Sequence, residues 1–238
     1  MKIHIGFVVA MQDEADILAS FLGLTLQKEE KNSYLTYANA ERSIIMITPG
    51  IDAAFTRKDN SPVSRVGKVS AAVVTTILIE KYHPDRIINC GTAGGIAGTD
   101  AKKGDIIVAD YVANHDIRLP FPEYNKYGVR KIPLNIPDTF TAITLPFKIG
   151  TISSGESFIY TKEEWDMILR NDAVAKEMEA AGVMQAVQIL NYKNPVYVIK
   201  TITDTIPSST HEEDFVKNFD GAMNKLGEFI KEVVKLYE

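Results

Sequence analysis

Among its 238 residues the chain holds one cysteine, Cys90, and one tryptophan, Trp165, and its 26 lysines and arginines are outnumbered by 31 acids. A lone cysteine excludes an internal disulfide and makes a reducing, cytoplasmic compartment the expectation. The formal net charge of −5 argues against nucleic acid or an anionic membrane as the main partner, since both reward a basic excess. No apolar run approaches the roughly 20 residues needed to span a bilayer. His4, His83 and His211 are scattered without ligand spacing, so no metal site is expected. Residues 1–10 have an apolar character like that of a leader, but they hold His4 and run straight into Gln12-Asp13-Glu14-Ala15-Asp16 without a small-residue cleavage site. They read better as a first strand.

What is present is an ordinary globular balance, 45% hydrophobic and 24% charged, and a length that suits one large domain over residues 1–238. Residues 3–10 feed a helix near Met11 whose first turn is acidic, which suits the positive end of its dipole. Residues 34–37 and 43–48 read as a strand pair, ended by Pro49-Gly50. Residues 52–65 read as a flexible polar insertion. Residues 66–82 form a helix apolar around most of its circumference, which predicts packing on the sheet and on a partner subunit. Residues 86–90 are a strand running into a glycine loop, Gly91-Thr92-Ala93-Gly94-Gly95. A turn at Gly104 precedes a strand to Asp110, and residues 115–138, with four prolines, read as a long ordered loop. Further strands fall at 147–153 and 196–204, and capping boxes at Thr161 and Thr210 open two helices. In the second of these, Phe215, Phe219, Met223, Leu226, Ile230, Val233 and Tyr237 share a face. Strands alternate with helices, so the fold expected is α/β: a three-layer sandwich around a mixed, mostly parallel central sheet.

In open α/β sheets ligands gather outside the carboxyl ends of the strands. If the strands are parallel, five exits meet, delivering Glu14, the Gly91–Gly95 turn, residues 154–159, Glu179 and Asp204. Each feature taken singly has a structural explanation: tight packing for the glycines, a dipole partner for Glu179, a loop cap for Asp204. Three carboxylates on one rim repel each other, and that cost points to a polar ligand that organises them.

Ala10-Met11-Gln12-Asp13-Glu14, Asn89-Cys90-Gly91-Thr92-Ala93-Gly94-Gly95, Gly104-Asp105-Ile106-Ile107-Val108, Ser154-Gly155, Glu177-Met178-Glu179-Ala180 and Thr203-Asp204 occur in a familiar order and spacing. Over nearly its whole length the chain resembles the 5′-methylthioadenosine/S-adenosylhomocysteine nucleosidases of the nucleoside phosphorylase superfamily. His115-Asp116-Ile117-Arg118-Leu119-Pro120 and Tyr127-Gly128-Val129 look more like the plant-type enzymes. The resemblance implies a nucleoside phosphorylase-like fold, a thio-nucleoside substrate, no cofactor, a homodimer and a place in methionine salvage. It implies Asp204 as the acid that protonates adenine, Glu14 as the carboxylate that orients water, and Glu179 as an ionised acceptor for the ribose hydroxyls. Met178 is implied against the sugar, Phe158 on the purine face, and backbone around Ile159 at the purine edge. Thr92, Ala93, Gly94, Glu177, Lys200 and Thr203 complete the implied binding set. His115, Leu119, Phe121 and Pro122 are implied as walls of the neighbouring subunit's 5′-thioalkyl pocket.

Lys200 departs from the arginine of the common bacterial enzymes, and a lysine cannot make the same bidentate fork. A phosphorylase is the nearest rival, but it calls for arginines where this chain has Gln12-Asp13-Glu14 and Asn89. A nucleoside-binding protein that has lost catalysis is the second, and the joint presence of three acids argues against it.

Overall fold

The computed structural model describes residues 2–27, 33–57 and 60–237. Strand β1 (Ile5–Val8) is short, apolar and buried along its length. It leads into α1 (Gln12–Leu22), which ends on Gly23 in the left-handed conformation, φ +63°. Then come β2 (Thr25–Gln27), β3 (Leu35–Ala38) and β4 (Ile44–Thr48), successive antiparallel neighbours that include the expected strand pair. The segment expected as a flexible insertion is a hairpin instead: β5 (Ile51–Thr56) pairs antiparallel with β6 (Pro62–Ser64). Its strands are short and half-buried or exposed throughout, so they lack the signature of a sheet strand. Lys58 and Asp59 of that insertion lie outside the described residues. Helix α2 (Lys68–Tyr82) buries Ala71, Val74 and Leu78 but leaves Val69 70% and Val73 55% exposed, so one apolar side is uncovered in this chain.

Strand β7 (Ile87–Ile96) is longer than expected, because the glycine stretch is a continuation of the strand rather than a loop. It is followed by β8 (Ile106–Asn114), which reaches beyond Asp110. The expected long loop carries the short helix α3 (Pro122–Gly128) and strand β9 (Lys131–Pro133). After β10 (Lys148–Ser154) comes α4 (Lys162–Arg170), whose capping box forms as expected: Thr161 and Glu164 exchange bonds with each other's N–H. Next are β11 (Ala173–Glu177), α5 (Ala180–Ile189), β12 (Val196–Ile206) and α6 (His211–Lys235). The second expected capping box does not form; the Thr210 hydroxyl donates to Asp214, at 3.1 Å. No described helix is long and apolar enough to cross a membrane.

The sheet runs β11-β10-β8-β12-β7-β1-β4-β3-β2. Its centre, β12-β7-β1-β4, is parallel. Helices α1 and α6 cover one face through Leu18, Phe229 and Ile230, and α2 and α5 cover the other through Val74, Leu78 and Val183. This is the expected three-layer α/β arrangement, with one addition that matters for the site. Strand β8 runs antiparallel to β12, β10 and β11 follow β8's direction, and β11 then closes antiparallel onto β7, with Ala175 opposite Gly95 and Lys176 opposite Gly94. Five strands therefore curl into a ring. The expected condition, all exits parallel, does not hold; curling brings the ends of β10 and β11 to the same place.

Candidate active site

At the mouth of this ring lies a cavity of about 260 Å³ lined by Glu14, Glu177, Glu179 and Asp204 together with Met178, Thr92 and Phe158. Ala93, Gly94 and Thr203 complete the expected residues on its wall. Among the described residues, no group of three or more His, Cys, Asp or Glu is arranged to hold a metal ion.

Glu14 is fixed from two sides and is 2% exposed. Its position in the first turn of α1 lets Oε2 accept the N–H of Met11 at 3.1 Å, so it caps its own helix. Oε1 accepts both the N–H and the hydroxyl of Thr92, each at 2.8 Å. The Thr92 hydroxyl is thus committed to Glu14. Such an approach needs a bare strand: a Cβ on Gly91 would sit 2.9 Å from Glu14 Oε1. A Cβ on Gly94 would likewise sit 3.0 Å from Asp204 Oδ2. The glycines serve two carboxylates rather than a turn.

The Glu177–Glu179 pair divides its work differently from the sequence expectation. Glu177, not Glu179, takes the start of α5: its oxygens accept the N–H groups of Glu179 at 2.9 Å and Ala180 at 2.9 and 3.1 Å. It also accepts the Ser154 hydroxyl and pairs with Lys200 at 2.9 Å. Although burial opposes its charge, Lys200, the Ser154 hydroxyl and the helix start together hold the Glu177 carboxyl below its ordinary range. Glu179 has only the Gly67 N–H at 3.1 Å and Lys200 at 3.5 Å. Burial therefore pushes its carboxyl up to about 7, with Glu177 and Glu14 adding repulsion. Lys200 is 1% exposed and does not line the cavity; it sits behind both glutamates as their shared counter-ion. Glu177 and Glu179 outweigh the cost of burying Lys200 and raise its pKa.

Asp204 was expected where its strand leaves the sheet, but β12 continues to Ile206. What turns the side chain into the cavity is a bulge: Ile202 pairs with Ala93 and Asp204 with Gly94, leaving Thr203 without a partner in the register. The Thr203 hydroxyl is within donating distance of Asp204 Oδ1, 2.8 Å, and of the Ala93 carbonyl, 3.3 Å. Asp204 is 2% exposed, and burial raises its pKa despite the Thr203 contact. A carboxyl in that setting keeps its proton to higher pH than a solvent-exposed aspartate does.

Phe158 lines the cavity with 38% of its surface exposed, but its ring is already stacked on His211, centroids 5.1 Å apart and planes at 16°. Ile159 is 65% exposed and is not brought to the cavity. The carbonyls just before it, at Ser157 and Phe158, are taken by Lys176 Nζ at 2.6 and 2.9 Å. Of the residues expected to serve a neighbouring subunit, Phe121 and Pro122 are exposed and Leu119 is half-buried. His115 differs: it is buried, its Nδ1 lies 3.1 Å from the Ser153 hydroxyl, and burial pushes its pKa down to about 4. It supports the chain beneath Gly155 and does not offer a surface wall.

The wall also holds residues outside the expected set, among them Lys176, His211 and Phe215. Lys176 stands one residue before the Glu-Met-Glu run, His211 has no metal-ligand spacing, and Phe215 belongs to the apolar face of α6. The four-residue spacing of His211 and Phe215 puts them on one helix face, which was the available signal.

A curled mixed sheet that presents buried carboxylates beside a partly exposed aromatic ring defines a class, and known proteins agree on it. The sequence profile of the phosphorylase superfamily matches residues 4–235, so the chain belongs to the phosphorylase superfamily. A 5′-methylthioadenosine/S-adenosylhomocysteine nucleosidase of Arabidopsis thaliana is 33% identical over 241 residues, covering 97% of this chain and 90% of that protein. A 5′-methylthioadenosine nucleosidase of the same plant is 32% identical over 220 residues, covering 89% and 79%. The solved structure of Arabidopsis thaliana 5′-methylthioadenosine nucleosidase superposes with a TM-score of 0.89 at 29% identity, over 100% of this chain and 97% of that one. Within the superfamily the chain is a member of the methylthioadenosine/S-adenosylhomocysteine nucleosidase family, whose members are hydrolases of N-glycosidic bonds.

Proposed function

We propose that this protein hydrolyses the N-glycosidic bond of 5′-methylthioadenosine, releasing adenine and the 5′-thioribose, with S-adenosylhomocysteine as a second substrate. The bond breaks when the base becomes a better leaving group and water meets an oxocarbenium-like ribosyl carbon. In this reading Asp204 protonates adenine at N7, Glu14 orients the water, and Glu179 accepts the 2′ and 3′ hydroxyls while Met178 packs on the sugar. Hydroxyls donated to Glu179 favour its charged form, so substrate adds donors to those the protein provides. Phe158 takes the purine face. Lys200 and Glu177 act from behind, fixing Glu179.

The observation that carries the reading is the contrast between carboxylates sharing one cavity: Asp204 is left prone to protonation by burial, while Glu14 is tied down by three donors. Against phosphate as the nucleophile stands the wall itself, on which no arginine appears among the described residues and the one lysine is bonded to two carbonyls. The test is adenine release from each thio-nucleoside in phosphate-free buffer. Strict phosphate dependence reverses the choice toward a phosphorylase, and binding without release favours a non-catalytic binder.

The same reading extends to setting and assembly. The uncovered Val69 and Val73 on α2 support a homodimer, with Leu119, Phe121 and Pro122 reaching toward the partner's site. The acid excess and the lone buried Cys90 support a cytoplasmic protein of methionine salvage that binds neither nucleic acid nor membrane. One sheet running through residues 5–206 supports a single domain over 1–238.

A further inference from the structure

In the mechanism above Asp204 gives up its proton in every turnover. It is then a carboxylate at 2% exposure, and another proton must reach it before the next cycle. We propose that His211 is the relay that returns this proton, an inference that rests on the hydrolytic reading of the cavity.

His211 opens α6 and leans over the cavity wall. Its Nδ1 lies 4.0 Å from Asp204 Oδ2, the oxygen that Thr203 leaves free. That nitrogen is buried and has no hydrogen-bond partner among the described residues, a costly state for a polar atom unless it acts at some stage of the cycle. Meanwhile 15% of the side chain stays exposed, so the imidazole faces the acid on one edge without being sealed from water. The stack on Phe158 fixes the plane of the ring. A rotation that shortens the gap by about 1 Å makes a hydrogen bond, and such contacts tighten commonly when substrate fills a site.

The other charged groups facing Asp204 are occupied. Lys176 holds two carbonyls, and Asp214 is bound to Lys103 at 2.8 Å and to Thr210 at 3.1 Å. The step balances simply. The Nδ1–H bond breaks, the proton joins Asp204 Oδ2, and the electron pair stays on Nδ1. A solvent proton is taken at Nε2, and once products leave, water in the open cavity exchanges this Nε2–H tautomer back to Nδ1–H, so the ring ends as it began and nothing is oxidised or reduced. His211 thus acts through Asp204 and not on the nucleoside.

The test is steady-state adenine release from methylthioadenosine by wild type, His211→Phe and His211→Ala, each with and without added imidazole. Phenylalanine keeps a ring on Phe158 and removes both nitrogens. The expected result is a kcat about 100-fold lower in both variants, with KM within about threefold, and recovery of His211→Ala in proportion to imidazole. Wild-type kcat in His211→Phe overturns the relay, as does a loss confined to KM, which is the mark of a ring that only holds Phe158. If His211→Ala does not fold, a His211→Phe kcat near wild type overturns the proposal and a reduced one upholds it. An inactive wild type overturns relay and hydrolase together, whereas an active wild type with an unimpaired His211→Phe overturns the relay alone.

Discussion

Replacing Glu179 by glutamine removes a charge and little else. The Gln oxygen can still accept the Gly67 N–H, and Lys200 keeps its 2.9 Å partner in Glu177. Burial raises the Glu179 carboxyl from an ordinary 4.5 to about 7. At 1.36 kcal/mol per pH unit that difference is worth about 3 kcal/mol. The sign follows from proton counting. Between these two values the folded protein binds the proton more tightly than the unfolded chain does. The stability linked to Glu179 is therefore complete below pH 4.5 and is lost as pH rises through about 7. Glutamine does not titrate, so Glu179→Gln escapes this loss. Thermal unfolding of both proteins without ligand should show the variant's advantage growing from pH 5 to pH 8 by about 2–3 kcal/mol, or about 4–12 °C for a chain of this size. Over the same range the variant should lose activity, because the neutral amide cannot stand in for a carboxylate beneath the ribose. Parallel melting profiles would refute the assignment of Glu179 as the under-compensated acid.

Substitutions at four other residues probe the rest of the site. Asp204→Asn should lower kcat by about 10²–10⁴ with nucleoside binding retained in calorimetry, and Glu14→Gln should behave in the same way. Lys200→Met leaves Glu177 and Glu179 buried without their cation and should cost about 3–5 kcal/mol in denaturant unfolding, whereas Lys200→Arg should cost less. Gly182→Ala sets a methyl group against the Lys68 carbonyl where α5 meets α2, so it should cost about 1–3 kcal/mol and also weaken substrate binding, because the adjacent Gly67 N–H shifts away from Glu179.

How much of this was legible in the sequence differs from residue to residue for physical reasons. Glu14, Asp204 and the Glu177–Glu179 pair stand beside strongly patterned strands and helices, and burial patterns carry that information locally. The layers follow from the same alternation. The closure of β11 onto β7 is another matter, since it depends on strands distant in sequence that meet only because the sheet curls. That closure explains why Lys176, which pairs across it, went unnoticed. The glycine stretch reads as a loop because the missing side chains of Gly91 and Gly94 answer to carboxylates from α1 and β12, not to local backbone needs. Which glutamate takes the start of α5 turns on side-chain direction within three residues, finer than any periodicity resolves. His211 makes the same point from the other side: its four-residue spacing from Phe215 marks a shared helix face, but only the fold sets that face beside an acid.

The most direct measurement follows oxygen. Methylthioadenosine is turned over in ¹⁸O-labelled water with phosphate present, and the sugar product is weighed by mass spectrometry. A buried acid that releases adenine while a water held by Glu14 captures the ribosyl carbon predicts one label at the anomeric carbon and no sugar phosphate. An unlabelled sugar 1-phosphate, or intact nucleoside after prolonged incubation, contradicts the account.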